Sequence, residues 1–143
     1  MIREIVWNSL RGDTVLNALG IAADGSNIHQ ADSVDTLPVK PAMVIRWGDI
    51  TDPVGERGAT TWVGGGTQTL QVWAHDDLGD FDRIDKILTR VRTVLSGLVA
   101  VQGTTPGQTL IQADWVGDSQ DFRDDGYRTI TRHSDWRIAQ GWR

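Results

Sequence analysis

The chain has 143 residues, a formal net charge of −5 and no cysteine. This length predicts one domain spanning residues 1–143, and a hydrophobic content of 39% is enough for a modest core. The negative charge argues against a protein that grips duplex DNA through a broad basic face, and the lack of cysteine excludes disulfides and thiolate metal sites.

The N-terminal part of the chain predicts two short helices. Residues 2–10 place Ile2, Ile5, Val6 and Leu10 on one side, and Gly12 breaks the pattern. Asp13 can then cap a second short turn, residues 14–19. The early charges and the lack of a run of about 20 apolar residues predict neither a signal peptide nor a membrane span. We therefore expect a soluble protein that is made and used in a cytoplasm.

The next segment alternates between loops and strands. Residues 22–40 have little periodicity and predict a loop with room for one short strand. Residues 42–47 (AMVIRW) predict a strand that is at least partly buried. Residues 48–58 predict a long loop or hairpin arm. Residues 60–63 favour a strand, which Gly64–Gly66 is expected to interrupt as a hairpin tip or a bulge.

Residues 67–97 carry the clearest pattern of the chain, a strand followed by an amphipathic helix. Leu70, Val72 and Ala74 alternate with polar or aromatic neighbours, which is the two-residue period of a strand. A stripe at helical spacing then follows: Ile84, Ile87, Leu88, Val91 and Leu95. Asp80 is the expected cap of this helix, and Gly97 is expected to end it in the left-handed conformation.

The C-terminal part predicts strands separated by turns. Residues 98–101 extend the helix or begin a strand, residues 103–107 form a turn, and residues 109–116 predict a strand. The acidic residues 117–126 predict a loop, and residues 127–138 alternate as a long final strand. The fold class is therefore α+β, a mainly antiparallel sheet with one long and one or two short helices packed on it.

Motifs for catalysis or metal binding are weak. His75-Asp76-Asp77 contains metal-binding residue types, but a polar turn leading into the helix cap is the favoured interpretation. Gly64–Gly66 lacks the Lys-Ser/Thr that follows in a phosphate-binding loop. The acidic residues 114–125 do not match an EF-hand spacing, and no serine lies in a nucleophile elbow. We expect no catalytic residue, no metal and no cofactor.

Tryptophan is unusually frequent, with seven residues against two phenylalanines and one tyrosine. Tryptophan is rarely fully buried and is enriched at protein interfaces. Part of this set is therefore expected to meet other subunits, and the rest to lie at the rim of the protein's own core.

The order and character of these elements resemble the tail terminators of tailed bacteriophages, also called tail-completion proteins. The resemblance rests on the leading helix pair that ends in Leu19-Gly20-Ile21, the strand PVKPAMVIRWGD and the strand-turn-helix TLQVWAHDDLGDFDRIDKILTRVRTVLSG. The late strands TLIQADWV and YRTITRHSDWRI complete it, so that it covers nearly the whole chain. The many tryptophans and the glycine-rich segment depart from the family pattern.

The resemblance implies a non-enzymatic virion protein that assembles as a homo-oligomeric ring, commonly a hexamer, in the host cytoplasm. Such a ring sits in the tail neck, caps the head-proximal end of the tail tube, stops tube polymerisation and meets the head-tail connector or stopper protein. DNA passes through its lumen without specific binding, and no membrane is involved. The alternatives are another head-tail joining or head-completion neck protein and a small metal-dependent hydrolase that uses His75, Asp76 and Asp77.

Interface residues are expected mainly in the two polar loops, residues 48–66 and 117–126, and near the C-terminus. The candidates are Asp52, Glu56, Arg57, Trp62, Gly65, Asp118, Asp121, Arg123, Asp124, Arg137 and Trp142.

Overall fold

The computed structural model describes residues 2–51, 63–104 and 108–142, and for residues 63–65 and 142 it describes the backbone alone. The helices of this part are α1 (Ile2–Arg11), α2 (Thr14–Ala18) and α3 (Asp82–Ser96). The strands are β1 (Ile28–Gln30), β2 (Ala42–Thr51), β3 (Val63–Asp77), β4 (Val99–Gln102), β5 (Gln108–Asp118), β6 (Phe122–Asp124) and β7 (Thr129–Trp142).

The strands form one sheet in the order β1-β2-β3-β7-β5-β4, and β6 pairs with the first residues of β7. Among the described strands, only the β1–β2 pair is parallel, and the other pairs are antiparallel. The central strands β3 and β7 pair along almost their whole length. The expected α+β fold, a mainly antiparallel sheet with one long and two short helices, is confirmed.

The helices cover one face of this sheet and form the main core with it. The apolar stripe of α3 is buried as expected: Ile84, Ile87, Leu88, Val91 and Leu95. The expected apolar side of α1 is also buried: Ile2, Ile5, Val6 and Leu10. On the sheet side, Leu70, Val72 and Ala74 of β3 pack against these helices. Both the helical and the strand periodicities therefore predict the core-facing residues correctly.

Strand β3 is longer at both ends than the sequence pattern predicts. Gly64–Gly66 does not interrupt it, although the pairing with β7 shifts its register between Val63 and Gly66, as in a bulge. A Cβ atom on Gly66 would lie 2.9 Å from the Thr51 carbonyl oxygen, so glycine allows β2 to approach closely. At the other end His75-Asp76-Asp77 is strand and not a turn, since all three residues pair with β7.

Helix α3 begins and ends differently from the prediction. Its N-cap residue is Phe81, while Asp80 lies one position earlier and accepts a hydrogen bond from the Asp82 amide (3.0 Å). Gly97 has a φ of −80° and is not left-handed. The Gly97 and Leu98 amides bond instead to the carbonyls three residues before them, a tightened last turn that leads directly into β4.

The acidic residues 117–126 are only partly a loop. β5 extends to Asp118, and the short strand β6 pairs with β7. The prediction of a loop over the whole segment is therefore wrong, because backbone pairing with β7 is available on this side beyond the end of β5. Residues 125–128 form the turn before β7, and its last residue, Arg128, has a φ of +56°.

The sheet face opposite the helices is covered only in part. A second apolar cluster joins Leu37 to Ala42, Val44 and Trp73, with the segment of residues 31–41 lying over the strands. The Tyr127 hydroxyl donates a hydrogen bond to the Val34 carbonyl (3.0 Å) and holds this segment in place. The rest of this face carries polar side chains together with Phe122 and the exposed Val116.

Candidate interface surfaces

The end of β3 places His75 and Asp76 on opposite faces of the sheet, because successive side chains of a strand alternate. Asp76 lies on the helix side, where Arg83 of α3 donates two hydrogen bonds to its carboxylate, of 2.8 and 2.6 Å. Burial opposes ionisation of Asp76, but the hydrogen bonds from Arg83 and from the Asp77 amide outweigh it, so its pKa lies below the usual value. Asp76 is thus a structural anion that joins α3 to β3.

His75 lies on the opposite face and is almost fully buried. Its Nδ1 is 2.8 Å from the Thr129 hydroxyl, and its ring meets that of Tyr127 edge-on at 5.3 Å. Burial lowers the pKa of His75 to about 4, against a smaller opposing effect of the Asp124 charge. The imidazole is therefore neutral at physiological pH.

These contacts do not build the hydrolase site that the His75-Asp76-Asp77 motif suggested. Asp76 points away from His75 and is held by Arg83, while Asp77 lies 3.7 Å from the Lys40 ammonium. Within residues 2–51, 63–104 and 108–142, no three histidine, aspartate or glutamate side chains are grouped to hold a metal ion. The motif contributes to packing and to ion pairing between elements.

An aromatic cluster lies next to His75 on the same face of the sheet. The rings of Trp73 and His133 are 4.2 Å apart, and Phe122 of β6 lies 6.1 Å from Trp73 and 6.2 Å from His133. His133 Nδ1 is 2.7 Å from Asp135. The cluster attaches β6 to the two central strands.

A groove of about 580 Å³, lined by polar side chains and by Val116, continues this face beyond the aromatic cluster. Its lining includes Arg46 of β2, Thr69 and Gln71 of β3, and Asp135 and Arg137 of β7. Arg137, one of the expected interface residues, is exposed here. The groove is open to solvent and mixes both charges, so that it has the character of a wet protein surface.

The expected interface residues of the 117–126 segment mainly support local structure. Asp121 lies 3.5 Å from Arg132, and Arg123 donates a hydrogen bond to Asp125 (3.0 Å). Asp124 accepts a hydrogen bond from the Tyr127 amide (2.9 Å) and so closes the turn before β7. Exposed ion pairs of this kind add little stability.

Trp115 of β5 forms an exposed anchor beside α3. The Arg92 guanidinium lies 3.6 Å from the centre of the Trp115 ring, and Trp115 Nε1 donates a hydrogen bond to Asp118 (3.0 Å). The tryptophan is still 37% exposed. Cation–π stacking and the hydrogen bond fix the orientation of the ring. Its apolar surface can therefore be buried against a partner at little further cost in side-chain conformational entropy. We call Trp115, Arg92 and Asp118 the Trp115 anchor.

A second groove, of about 500 Å³, lies between α2 and α3. Val15 and Leu19 supply its apolar side, and Val15 is 43% exposed. Asp82 and Asp85 lie on its rim together with Lys86, and Thr89, Arg90 and Thr93 complete the lining. We call this feature the α2–α3 groove.

The sequence pattern did not predict either of these two surfaces. Arg92 and Trp115 are 23 positions apart in the numbering, and Val15 is still farther from α3, so no periodicity links them.

For the remaining expected interface residues, the structure describes either the backbone alone or nothing. Asp52, Glu56, Arg57 and Trp62 lie outside the described residues. Gly65 belongs to β3 and Trp142 ends β7, where its backbone lies opposite Val63. No helix within the described ranges is long and apolar enough to cross a lipid bilayer.

Comparison with known proteins identifies a shared fold. By sequence the chain matches no protein-family model and no curated protein. By structure it is similar to a chain in the virion of a native gene transfer agent particle, with a TM-score of 0.65 and 18% identity. The match covers 95% of this chain and 91% of that chain, so the two share the fold over nearly their full length.

Proposed function

We propose that the protein is a structural component of a phage-like virion, and more specifically a tail terminator. In this role it forms a homomeric ring, a hexamer by the family resemblance, at the head-proximal end of the tail tube. The ring stops tube polymerisation and offers its other side to the head-tail connector. The chain acts by binding other proteins and not by catalysis.

The observation that carries the proposal is the fold shared with a chain of a gene transfer agent virion over 95% of the residues. The order of elements agrees with the tail-terminator pattern, two short helices, then the strands around the long helix, then the late strand pair. At 18% identity the likeness concerns the fold alone, and the role is inferred from the fold and the sequence resemblance together.

The described surfaces suit assembly better than they suit catalysis. The candidate catalytic residues His75 and Asp76 are buried and point to opposite faces of the sheet. The exposed features are an aromatic anchor, a groove with an apolar side and an open polar sheet face, which are the parts of protein–protein interfaces. A net charge of −5 also suits a ring through which DNA slides without specific binding.

The loops expected to contact tube, connector or neighbouring subunits remain part of the proposal. They are residues 48–66, with the candidates Asp52, Glu56, Arg57 and Trp62, and residues 117–126, with Asp118, Asp121, Arg123 and Asp124. Gly65, Arg137 and Trp142 are the candidates on β3 and β7.

Light scattering tests this function by measuring the mass of the purified chain in solution, with and without tail-tube protein. We expect a closed ring, alone or on tube ends, and an arrest of tube growth at the capped end. A strict monomer that does not bind the tube would overturn the terminator role. A ring that binds connector but leaves tube growth unchanged would instead favour another head-tail joining protein.

A further inference from the structure

Residues 32–40 cross the sheet face opposite the helices as an irregular segment, which we call the strap. The structure describes all of these residues, and none of them belongs to a helix or a strand. Hydrogen bonds fix the chain at both ends of the strap. The Ala31 amide donates to the Ile45 carbonyl of β2 (2.9 Å), and the Asn27 side-chain amide donates to the Pro41 carbonyl (2.9 Å). The strap is therefore a loop with two anchored ends that lies over a folded sheet.

The middle of the strap is held by two main contacts. Leu37, which is 3% exposed, is the only buried side chain among residues 32–40. Within the described ranges of the chain, the bond from the Tyr127 hydroxyl to the Val34 carbonyl (3.0 Å) is the one hydrogen bond that ties the strap to an element other than the adjacent β1.

The ion pairs of the strap contribute little to holding it in place. Lys40 lies 3.7 Å from Asp77, and Asp32 lies 3.9 Å from Arg46. Both carboxylates are exposed to solvent, where ion pairs add little stability.

The apolar cluster beneath the strap is separate from the main core. Its buried members are Leu37, Ala42 and Val44. Successive side chains of a strand point to opposite faces, so Val44 lies on the strap side of β2 while Ile45 packs in the main core with the helices. Lifting the strap therefore breaks the small cluster and leaves the main core intact.

We propose that the strap is a cover that opens as a unit while the sheet and the helices stay folded, and that the Tyr127 hydroxyl holds it closed. Opening loses one buried leucine and one hydrogen bond, a small part of what stabilises a whole domain. Segments with few buried contacts are those at which proteins open locally. The open strap exposes Val44 and Trp73, and Phe122 lies 6.1 Å from the Trp73 ring. The strap thus controls how much apolar surface this face of the sheet presents.

Thiol labelling measures the opening, because the wild-type chain has no cysteine. Val44→Cys places a thiol beneath the strap, where Val44 is 7% exposed. Val72→Cys is the matched control, since Val72 of β3 is 0% exposed and packs in the main core. Each variant is mixed with the thiol reagent DTNB over a range of urea concentrations below its unfolding transition, and circular dichroism checks that it is folded.

The thiol of the Val44→Cys variant should react at least about tenfold faster than that of the Val72→Cys variant, and still more slowly than a thiol in the unfolded chain. Its rate should change little with urea, because local opening exposes little surface. Equal rates with the same urea dependence in the two variants would overturn the proposal, since both thiols would then react only on global unfolding. A Val44→Cys thiol that reacts as fast as in the unfolded chain would also overturn it, because the strap would not be a cover.

Tyr127→Phe tests the bond that holds the strap closed. In the Val44→Cys background it should raise the labelling rate by about threefold or more, as the loss of one hydrogen bond predicts. Ser33→Ala is the control, since the Ser33 hydroxyl donates only to the nearby Gln30 carbonyl (2.6 Å), and it should leave the rate unchanged. An unchanged rate for Tyr127→Phe, or an equal increase in the Val72→Cys background, would overturn the assignment to Tyr127. No sample contains tube or connector protein, so the result is independent of the proposed tail-terminator role.

Discussion

Arg83 of α3 donates two hydrogen bonds to Asp76 at the end of β3 and closes the gap between the long helix and the central strand. The Asp76 side chain is 9% exposed and that of Arg83 is 43% exposed. Replacing Arg83 by Met leaves a largely buried carboxylate without its cation. We expect the free energy of unfolding to fall by about 1–2 kcal/mol, a value reduced for the solvent exposure of Arg83.

Urea denaturation followed by circular dichroism measures this change. Lys86→Met is the matched control, because Lys86 pairs with Asp82 of the same helix at the exposed surface. An Arg83→Met variant as stable as the control would show that the pair does not join α3 to β3 energetically.

His75 should make the fold sensitive to mild acid. Burial lowers its pKa from 6.5 to about 4, so the unfolded chain binds the proton more readily than the folded one. The stabilisation is complete above pH 6.5 and is lost as the pH falls towards 4. A difference of about 2.5 pKa units corresponds to roughly 3 kcal/mol at most.

The measurement is the free energy of unfolding at pH 7.5 and pH 4.5 for the wild type and for His75→Gln. The variant should show a flatter pH dependence in this window. The lowered pKa values of Asp13 and Asp76 add to the pH dependence of both proteins alike. His29, whose pKa burial also lowers, acts in the same direction, so His29→Gln is measured in parallel. Equal slopes for the wild type and His75→Gln would contradict the prediction.

Gly25 should not tolerate a side chain. Its φ is +74°, and a Cβ atom there would lie 2.3 Å from the Trp7 ring. Gly25→Ala combines backbone strain with a clash, so we expect a loss of about 1–3 kcal/mol. Gly117→Ala is the control, since a Cβ atom at Gly117 would have no heavy atom within 4 Å. Thermal melts that coincide for the two variants would show that the turn at Gly25 adapts.

Leu88→Asp should abolish folding. Leu88 is 2% exposed within the core between α3 and the sheet, and an unpaired buried carboxylate is costly. Thr89→Asp, one position along the same helix and exposed, should change stability by no more than about 0.5 kcal/mol. A folded Leu88→Asp protein with a cooperative melt would mean that the helix is oriented differently.

Periodicity predicts the parts of this fold in which each residue's environment repeats along the element. The alternation of Leu70, Val72 and Ala74 and the stripe on α3 needed no knowledge of the partner elements, because burial follows the period of the element. The sequence favours a polar turn at His75-Asp76-Asp77 that leads into the cap of the next helix. The segment is strand in the structure, where Arg83 of α3 binds Asp76 and the Thr129 hydroxyl of β7 lies against His75. Neither contact is visible from the local sequence.

The candidate surfaces could be predicted only in part for the same reason. The acidic 117–126 segment is conspicuous in the sequence, yet its carboxylates mostly hold neighbouring backbone and side chains. The Trp115 anchor depends on Arg92, which reaches it from a different element. Contacts between distant positions follow from topology and leave no pattern in the order of residues.

Asp13 links the completion of α2 to the docking of α3. Its carboxylate accepts the Leu16 amide, which caps α2, and also binds Arg90, 77 residues later in the chain. A five-residue helix is not stable by itself, so α2 is complete only when α3 has docked against it. A nascent or partly folded chain therefore has no finished α2–α3 groove, and this surface exists only once α3 has docked.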